Sequence, residues 1–342
     1  MIHRLSGRVA GVVSLFTLIL VGCDPAPTAP PGASTDLTKT PSSSVARIWR
    51  VGLLHPGREN DRGWNQLAYE ALLELDRRDD VSARHAFTPN RSNFKADLRA
   101  FAEQNYDLVI CHGGEFAKAA REVARQYPKT RFVVAGSEEA GDGIAAIDFR
   151  LWEATYLCGV LAACVVPDGP AGLIGGEDFR PVRNTLDAFA SGARSVRPDY
   201  PTFAQYVGSW EDVARANQTA RSLIEAYRVK VIFQNTDAAA FGVFQAARDA
   251  GVLAFGSNSD QNGAAPENVL ASAVIDMAEA YRQLLERVMA GKLGDDVVTH
   301  DLKSGGVRFV PNPRLESKWP AGARERIDAA RKKIESGELK VL

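Results

Sequence analysis

Residues 51–66, VGLLHPGRENDRGWNQ, change character twice in a short span. Val51-Gly52-Leu53-Leu54 is an apolar run, and His55-Pro56-Gly57 stops it. Arg58, Glu59, Asn60, Asp61 and Arg62 are polar. Gly63-Trp64-Asn65-Gln66 then opens a helical pattern, with Leu67, Ala68, Ala71, Leu72 and Leu75 at helical spacing. A buried strand, a polar loop and a helix start are the repeating unit of an open α/β sheet. Such sheets bind ligands outside the carboxyl ends of their strands. The stretch therefore predicts a fold class and one wall of a small-molecule cleft.

The same alternation continues outward. Asp107 to Cys111 (DLVIC) reads as a continuous apolar strand, as a parallel sheet requires. His112-Gly113-Gly114 breaks it before a further helix. Trp152 to Val166 reads as a buried helix of apolar and small residues, and Pro167-Asp168-Gly169-Pro170 is a strong turn. After that turn, strand and helix alternate again from Ala171 to Met289. Two such runs predict an α/β protein of two similar lobes, each a parallel sheet with helices on both faces. One large doubly wound sheet is the competing arrangement, and the break at residues 167–170 argues against it.

The amino end reads differently. Arg4 and Arg8 precede an apolar run from Val9 to Val21 that is too short to span a bilayer, and Leu20-Val21-Gly22-Cys23 follows. This is the pattern of a signal peptide over residues 1–22, and the tetrad resembles a lipobox that would leave a lipidated Cys23 as the new amino terminus. Residues 23–45, rich in Pro, Ser, Thr and Ala, lack apolar periodicity and predict an extended tether. The expected location is the cell membrane, lipid-anchored and facing the periplasm or the cell exterior. An ordinary signal peptide with an incidental cysteine is the plainer reading.

From Ala46 onward about 297 residues remain, enough for two domains. The chain is 45% hydrophobic and 24% charged with a net charge of −1, which leaves no electrostatic footprint for nucleic acid. The spacing of Cys111, Cys158 and Cys164 suggests no metal site, and all three read as small buried residues. A disulfide from Cys111 to one of the others stays open. The five histidines show no metal-ligand spacing, and neither a phosphate-binding loop nor a nucleophile elbow is present. No catalytic residue, metal or cofactor is assigned.

Residues following the strands are the ones a cleft would use. In the first lobe they are Asn60, Asp61, Trp64 and Asn65, then His112, Glu115 and Phe116. In the second they include Glu177, Asp178, Trp210, Asn235, Thr236, Asp237, Ser257, Asn258, Asp260 and Gln261. Trp64 and Trp210 lie in polar loops of opposite lobes, where two ring faces would sandwich a planar ligand; either could instead pack on its own lobe. Asp61, Asp237 and Asp260 could accept hydrogen bonds from a ligand or cap the helices that follow them. Asp237, directly before three alanines, looks most like such a cap.

Seven segments together resemble the basic membrane protein family of bacterial substrate-binding lipoproteins, whose best-known members bind purine nucleosides for ABC importers. They are NDRGWNQLAYEAL (60–72), YDLVICHGGEFAKAA (106–120), WEATYLCGVLAA (152–163), GLIGGEDFRPVRNTLDAFASGAR (172–194), YVGSWED (206–212), VIFQNTDAAAFGVFQAARDAGVLAFGSNSDQ (231–261) and LASAVIDM (270–277). The resemblance implies a type I periplasmic-binding-protein fold, with two Rossmann-like lobes, three crossing segments and a ligand enclosed by hinge closure. It places residues 46–148 plus about 274–296 in the first lobe, and 149–273 plus about 297–342 in the second. By the same resemblance Trp64 stacks on a base, Asn60, Asp61 and Asn65 line the site, Trp210 faces it, and Asp260 contacts a ribose. The chain departs from the nucleoside binders where Asn235-Thr236-Asp237 replaces a Gly-rich turn, and where Val274 and Ile275 stand in place of a lysine. The implied function is a monomeric, membrane-anchored receptor that passes a purine nucleoside or related planar heterocycle, flavins included, to an importer's permease. The alternatives are a ligand-sensing regulatory lipoprotein of the same fold and an extracytoplasmic nucleoside-processing enzyme.

Overall fold

The computed structural model describes residues 47–61 and 63–342. Cys23, the leader at 1–22 and the tether at 23–45 lie outside the described residues. The first run of elements is β1 (Trp49–His55), α1 (Trp64–Asp76), β2 (Val81–Phe87), α2 (Phe94–Glu103), β3 (Leu108–His112), α3 (Ala117–Ala124), β4 (Arg131–Ala135) and β5 (Ile144–Phe149). The second is α4 (Leu151–Val165), β6 (Ala171–Gly175), α5 (Arg180–Val196), β7 (Thr202–Tyr206), α6 (Val213–Tyr227), β8 (Val231–Asn235), α7 (Ala240–Ala250), β9 (Leu253–Asn258) and β10 (Val269–Ile275). The chain then returns through α8 (Met277–Met289) and β11 (Val297–His300), and ends with β12 (Val307–Pro311), α9 (Pro313–Glu316) and α10 (Ala323–Glu335).

Two six-stranded sheets result, ordered β11-β5-β4-β3-β1-β2 and β12-β10-β9-β8-β6-β7. The orders match position for position. Every pairing is parallel except β10 with β12. The central strands are mostly apolar because both faces are covered, whereas the edge strands β2 and β7 carry polar and partly exposed residues. Val51 and Leu53 of β1, Leu108 and Ile110 of β3, and Val231 and Phe233 of β8 join one cluster that runs through both lobes. Leu54, Val109 and Cys111 face a second cluster beneath α2 and α3, and Ile232 faces a third beneath α6 and α7. This period-two division is what a strand buried on both sides must show. Each fully buried leucine or valine contributes roughly 1.5–3 kcal/mol. Cys111, Cys158 and Cys164 are free thiols, the first two buried.

Three segments cross between the sheets and are tied to one another. Arg150 donates its amide to His300 O at 2.8 Å, Asp276 donates its amide to Gly306 O at 2.9 Å, and Leu302 donates its amide to the Glu153 carboxylate at 3.0 Å. The third crossing leaves after His300. Residues 297–300 therefore belong to the first sheet, not to the second lobe as the sequence suggested, because β11 pairs parallel with β5 from Val297 to His300. A short strand without its own helix carries no signal of the sheet it joins.

Behind the second sheet, α4 and α5 meet backbone to backbone. A side chain at Gly159 would put its Cβ 2.0 Å from Phe189 O, and one at Gly192 would put it 2.0 Å from Tyr156 O. Gly159→Ala should therefore force the helices apart and cost about 3 kcal/mol or more, beyond ordinary overpacking. The exposed neighbour Ser191→Ala should leave the thermal midpoint nearly unchanged. Thermal denaturation followed by circular dichroism compares the two, and equal midpoints would refute the close-packing account.

Candidate functional site

In each sheet the connections reverse direction beside one strand: β1 lies between β2 and β3, and β6 lies between β7 and β8. Such switch points open a crevice at the carboxyl ends of the strands. The loop after β1 and the loop after β8 meet in that crevice, one from each lobe.

The loop after β1 is built around Asp61. Its buried carboxylate accepts the amides of Gly63 (2.9 Å), Asn65 (3.0 Å) and Gln66 (3.0 Å), and the side-chain amide of Asn65 (2.7 Å). Asp61 thus caps α1, and Asn65 braces the loop by also accepting the Gly57 amide at 3.2 Å. The remaining early amide, that of Trp64, is bonded from the opposite lobe: Asp237 Oδ1 accepts it at 3.1 Å. The Asp237 side chain caps α1 rather than its own helix, contrary to the sequence reading, because its backbone turns through a left-handed conformation with φ +49°. Gly63 makes this approach feasible, since a Cβ there would lie 2.5 Å from Asp237 Oδ1.

Asp237 is buried and also accepts the Asn258 side-chain amide at 2.9 Å. Burial, followed by the charge of Asp61, pushes its carboxyl up to about 7, while the bonds from Trp64 and Asn258 oppose the shift. A polar network holds the surrounding second-lobe loops. Gln234 Oε1 accepts from the Thr236 amide and hydroxyl at 3.0 and 2.8 Å, and Gln234 Nε2 donates to Gln261 Oε1 at 2.7 Å.

Trp64 rests on His112, with ring centroids 4.0 Å apart and planes inclined by 21°, and its edge meets Phe149. His112 is fully buried. Its Nε2 lies 2.9 Å from Trp64 O and its Nδ1 lies 3.0 Å from the Tyr281 hydroxyl. A carbonyl can only accept, so Nε2 carries the proton and Nδ1 accepts from Tyr281. Burial drives the imidazole pKa down to about 3. His112 is therefore a neutral support for the indole.

The other predicted residues are dispersed. Phe116 is fully buried, stacked on Phe94 at 3.8 Å, so it belongs to the first-lobe core and not to the cleft wall. Glu115 keeps solvent contact while its carboxyl folds in beside Gly113; burial raises its pKa, and Glu177 of the second lobe adds to the shift against Arg91. Asn60 is exposed at the loop tip. Trp210 lies over Gly176 with its edge on Phe179, and its carbonyl accepts the Ala239 amide at 2.9 Å, which places it beside the Asp237 turn. Asp260 is exposed and accepts the Asn262 amide at 3.0 Å. Asp260 lines a cavity of about 390 Å³ between the lobes, with Gly63, Leu67, Glu70, Phe241 and Ala264. A larger hollow, about 570 Å³, lies at the amino ends of β6, β8 and β9, away from Trp64 and Asp237. The crevice at the strand carboxyl ends is the better site, because there the loops of both lobes converge. Among the described residues no group of three or more His, Cys, Asp or Glu side chains could hold a metal.

Tyr281 and Gly63 are the parts of the site that sequence reasoning missed. Tyr281 sits on α8, far along the chain, with nothing local to mark it. The Gly63 signal was present, in a glycine directly before a helix start, but its reason lies in the opposite lobe.

Comparison with known proteins adds to this geometry. The family described as ABC transporter substrate-binding protein PnrA-like matches residues 48–340. A purine-binding protein of Brucella abortus is 27% identical over 293 residues, covering 85% of this chain and 82% of its own. The transcriptional activator protein med of Bacillus subtilis is 24% identical, covering 77% and 82%. A solute-binding protein of an ABC transporter system from Aeropyrum pernix superposes with a TM-score of 0.77 at 20% identity, covering 86% of this chain and 92% of its own.

The support for Trp64 predicts a titration. With its folded pKa near 3 against an ordinary 6.5, His112 favours the folded state above pH 6.5. That contribution is lost as the pH falls through the interval toward 3. Nitrogen-15 NMR should show a neutral imidazole protonated on Nε2 at pH 5. An imidazolium at that pH would refute the assignment.

Proposed function

The chain belongs to the Bmp family of PnrA-like ABC transporter substrate-binding proteins, and from that premise we propose that it captures a nucleoside-like planar heterocycle between its lobes for import. The observation that carries this reading is the crevice itself. Loops from two switch points converge there, an indole is braced from behind by a neutral imidazole, and a separate cavity of about 390 Å³, lined by Gly63 and Asp260 but by neither indole, opens between the lobes. That volume falls in the range of small-molecule sites.

The ligand's ring stacks on the indole face of Trp64 turned away from His112, and Trp210 contributes from the second lobe. Polar groups at the strand ends, Asp260 and Glu115 among them, take hydroxyl and amine groups of the ligand. The likeness in sequence to a relative named as purine-binding supports a purine or a related heterocycle. Closure is a population shift, because the ligand touches both lobes only when they meet. No bond is made or broken. Lipidation at Cys23 holds the receptor outside the cytoplasm at the membrane face, beside the permease that accepts the ligand.

A second reading, a ligand-sensing regulator of the same fold, is favoured by the likeness to a transcriptional activator. The two differ in transport: loss of a receptor abolishes uptake of its ligand, whereas loss of a sensor changes gene expression and leaves uptake intact.

Mass spectrometry of compounds released on denaturation, followed by calorimetric titration, identifies the ligand. Trp64→Ala and Trp210→Ala should each weaken binding about 10- to 100-fold, the equivalent of about 1–3 kcal/mol of stacking. Unchanged affinity in both would overturn the stacking site. Turnover of a nucleoside by the purified protein would overturn the receptor reading.

A further inference from the structure

Every early amide of α1 is already bonded to a carboxylate. Asp61 takes those of Gly63, Asn65 and Gln66 from within the first lobe, and Asp237 takes that of Trp64 from the second. A helix start at the carboxyl end of a parallel sheet would otherwise suit an acceptor or anionic group of a ligand. Here two acidic side chains occupy it.

Asp237 is held there against opposing terms. Its backbone has φ +49°, a conformation unfavourable for a residue with a side chain. Its carboxyl is buried next to that of Asp61. Asn258, itself left-handed at φ +64°, donates to the same oxygen that Trp64 uses, and the Asn258 amide also reaches Asn235 Oδ1 at 3.3 Å. Gly63 leaves room where any Cβ would collide with Asp237. Four residues from two lobes thus converge on one carboxylate. At the rim a second contact joins other segments of the two lobes, an ion pair of Arg180 at the start of α5 with Glu138 in the loop after β4 at 3.3 Å, exposed and correspondingly weak.

We propose that Asp237 acts as a built-in occupant of the α1 acceptor site and so determines the specificity of the cleft. It draws the lobes together without a ligand. It also turns away a ligand that presents an anion at this point, in favour of one that offers a hydrogen-bond donor. The other acidic groups near the crevice are partly offset by cations: Arg91 acts on Glu115, and Arg180 and Arg150 pair with Glu138 and Asp148, so the unpaired charge at this point is that of Asp237. A neutral nucleoside is accepted and its 5′-monophosphate refused. This last consequence rests on the proposed function; the latch between the lobes does not.

Three proteins test the proposal: the native chain, Asp237→Asn, which keeps an acceptor oxygen and loses the charge, and Asp237→Gly, which also relieves the left-handed backbone. Circular dichroism and a cooperative melt establish that all are folded. In small-angle X-ray scattering without ligand, the native protein and Asp237→Asn should be compact, and Asp237→Gly should shift to a larger radius of gyration. An Asp237→Gly protein as compact as the native one overturns the latch. In calorimetry at pH 8.5, above the raised pKa of Asp237, with adenosine and adenosine 5′-monophosphate, the native preference for the nucleoside should fall about tenfold in Asp237→Asn, the scale of one charge-assisted interaction. An unchanged ratio overturns the role in specificity. If no variant binds either compound, the nucleoside reading fails, and scattering alone decides the latch.

Discussion

Amide hydrogens at a helix start, once removed from water, must find acceptors. In this protein that constraint falls on α1, whose first turn projects into the crevice between two sheets. Asp61 meets most of it locally. The last amide, that of Trp64, is met only when the second lobe brings Asp237 across. The position of the indole, the need for glycine at residue 63 and the left-handed turn at Asp237 all follow from that one arrangement. The cleft is thus held by a directional contact between lobes rather than by apolar surface alone.

Behind the crevice the indole is held by a chain of contacts. His112 takes the Trp64 carbonyl on one nitrogen and the Tyr281 hydroxyl on the other, so the indole rests on a ring that is itself fixed at both ends. Tyr281 lies on α8, the helix that follows the second crossing segment. The indole is therefore connected, through His112, to the helix that follows a crossing segment. In the second lobe, Gln234 near the end of β8 bonds Gln261 in the loop after β9, and it also holds Thr236, so that the Asp237 turn is tied to its own lobe. Three crossing segments, tied to one another, join the two sheets.

Much of the architecture was legible from residue patterns. Short apolar runs such as Val51 to Leu54 and Leu108 to Cys111, stopped by His55-Pro56-Gly57 and His112-Gly113-Gly114, read as strands covered on both faces. Their alternation with helical periodicity dictates parallel sheets, and the turn at 167–170 separates the lobes. Of the site, the loops were legible and the roles were not. Asp61, Asn65 and His112 sit where a cleft was expected, yet they brace the cleft from within. Phe116 follows the same strand but points into the core, because the short 3₁₀ turn after β3 rotates it toward Phe94. The placement of residues 297–300 failed for a similar reason: an edge strand takes its sheet from a partner, not from its own residues.

The amino-acid sequence by itself determined the two α/β lobes, the loops that face each other, and the family, because hydrophobic period and turn chemistry act over a few residues at a time. Only the tertiary structure decided what the carboxylates do. Asp237 lies 173 residues from Trp64, and a residue placed to cap its own helix instead caps one in the other lobe. No local pattern encodes that choice. It depends on where two independently built sheets bring their loops, and on a glycine whose missing side chain leaves room for them to meet.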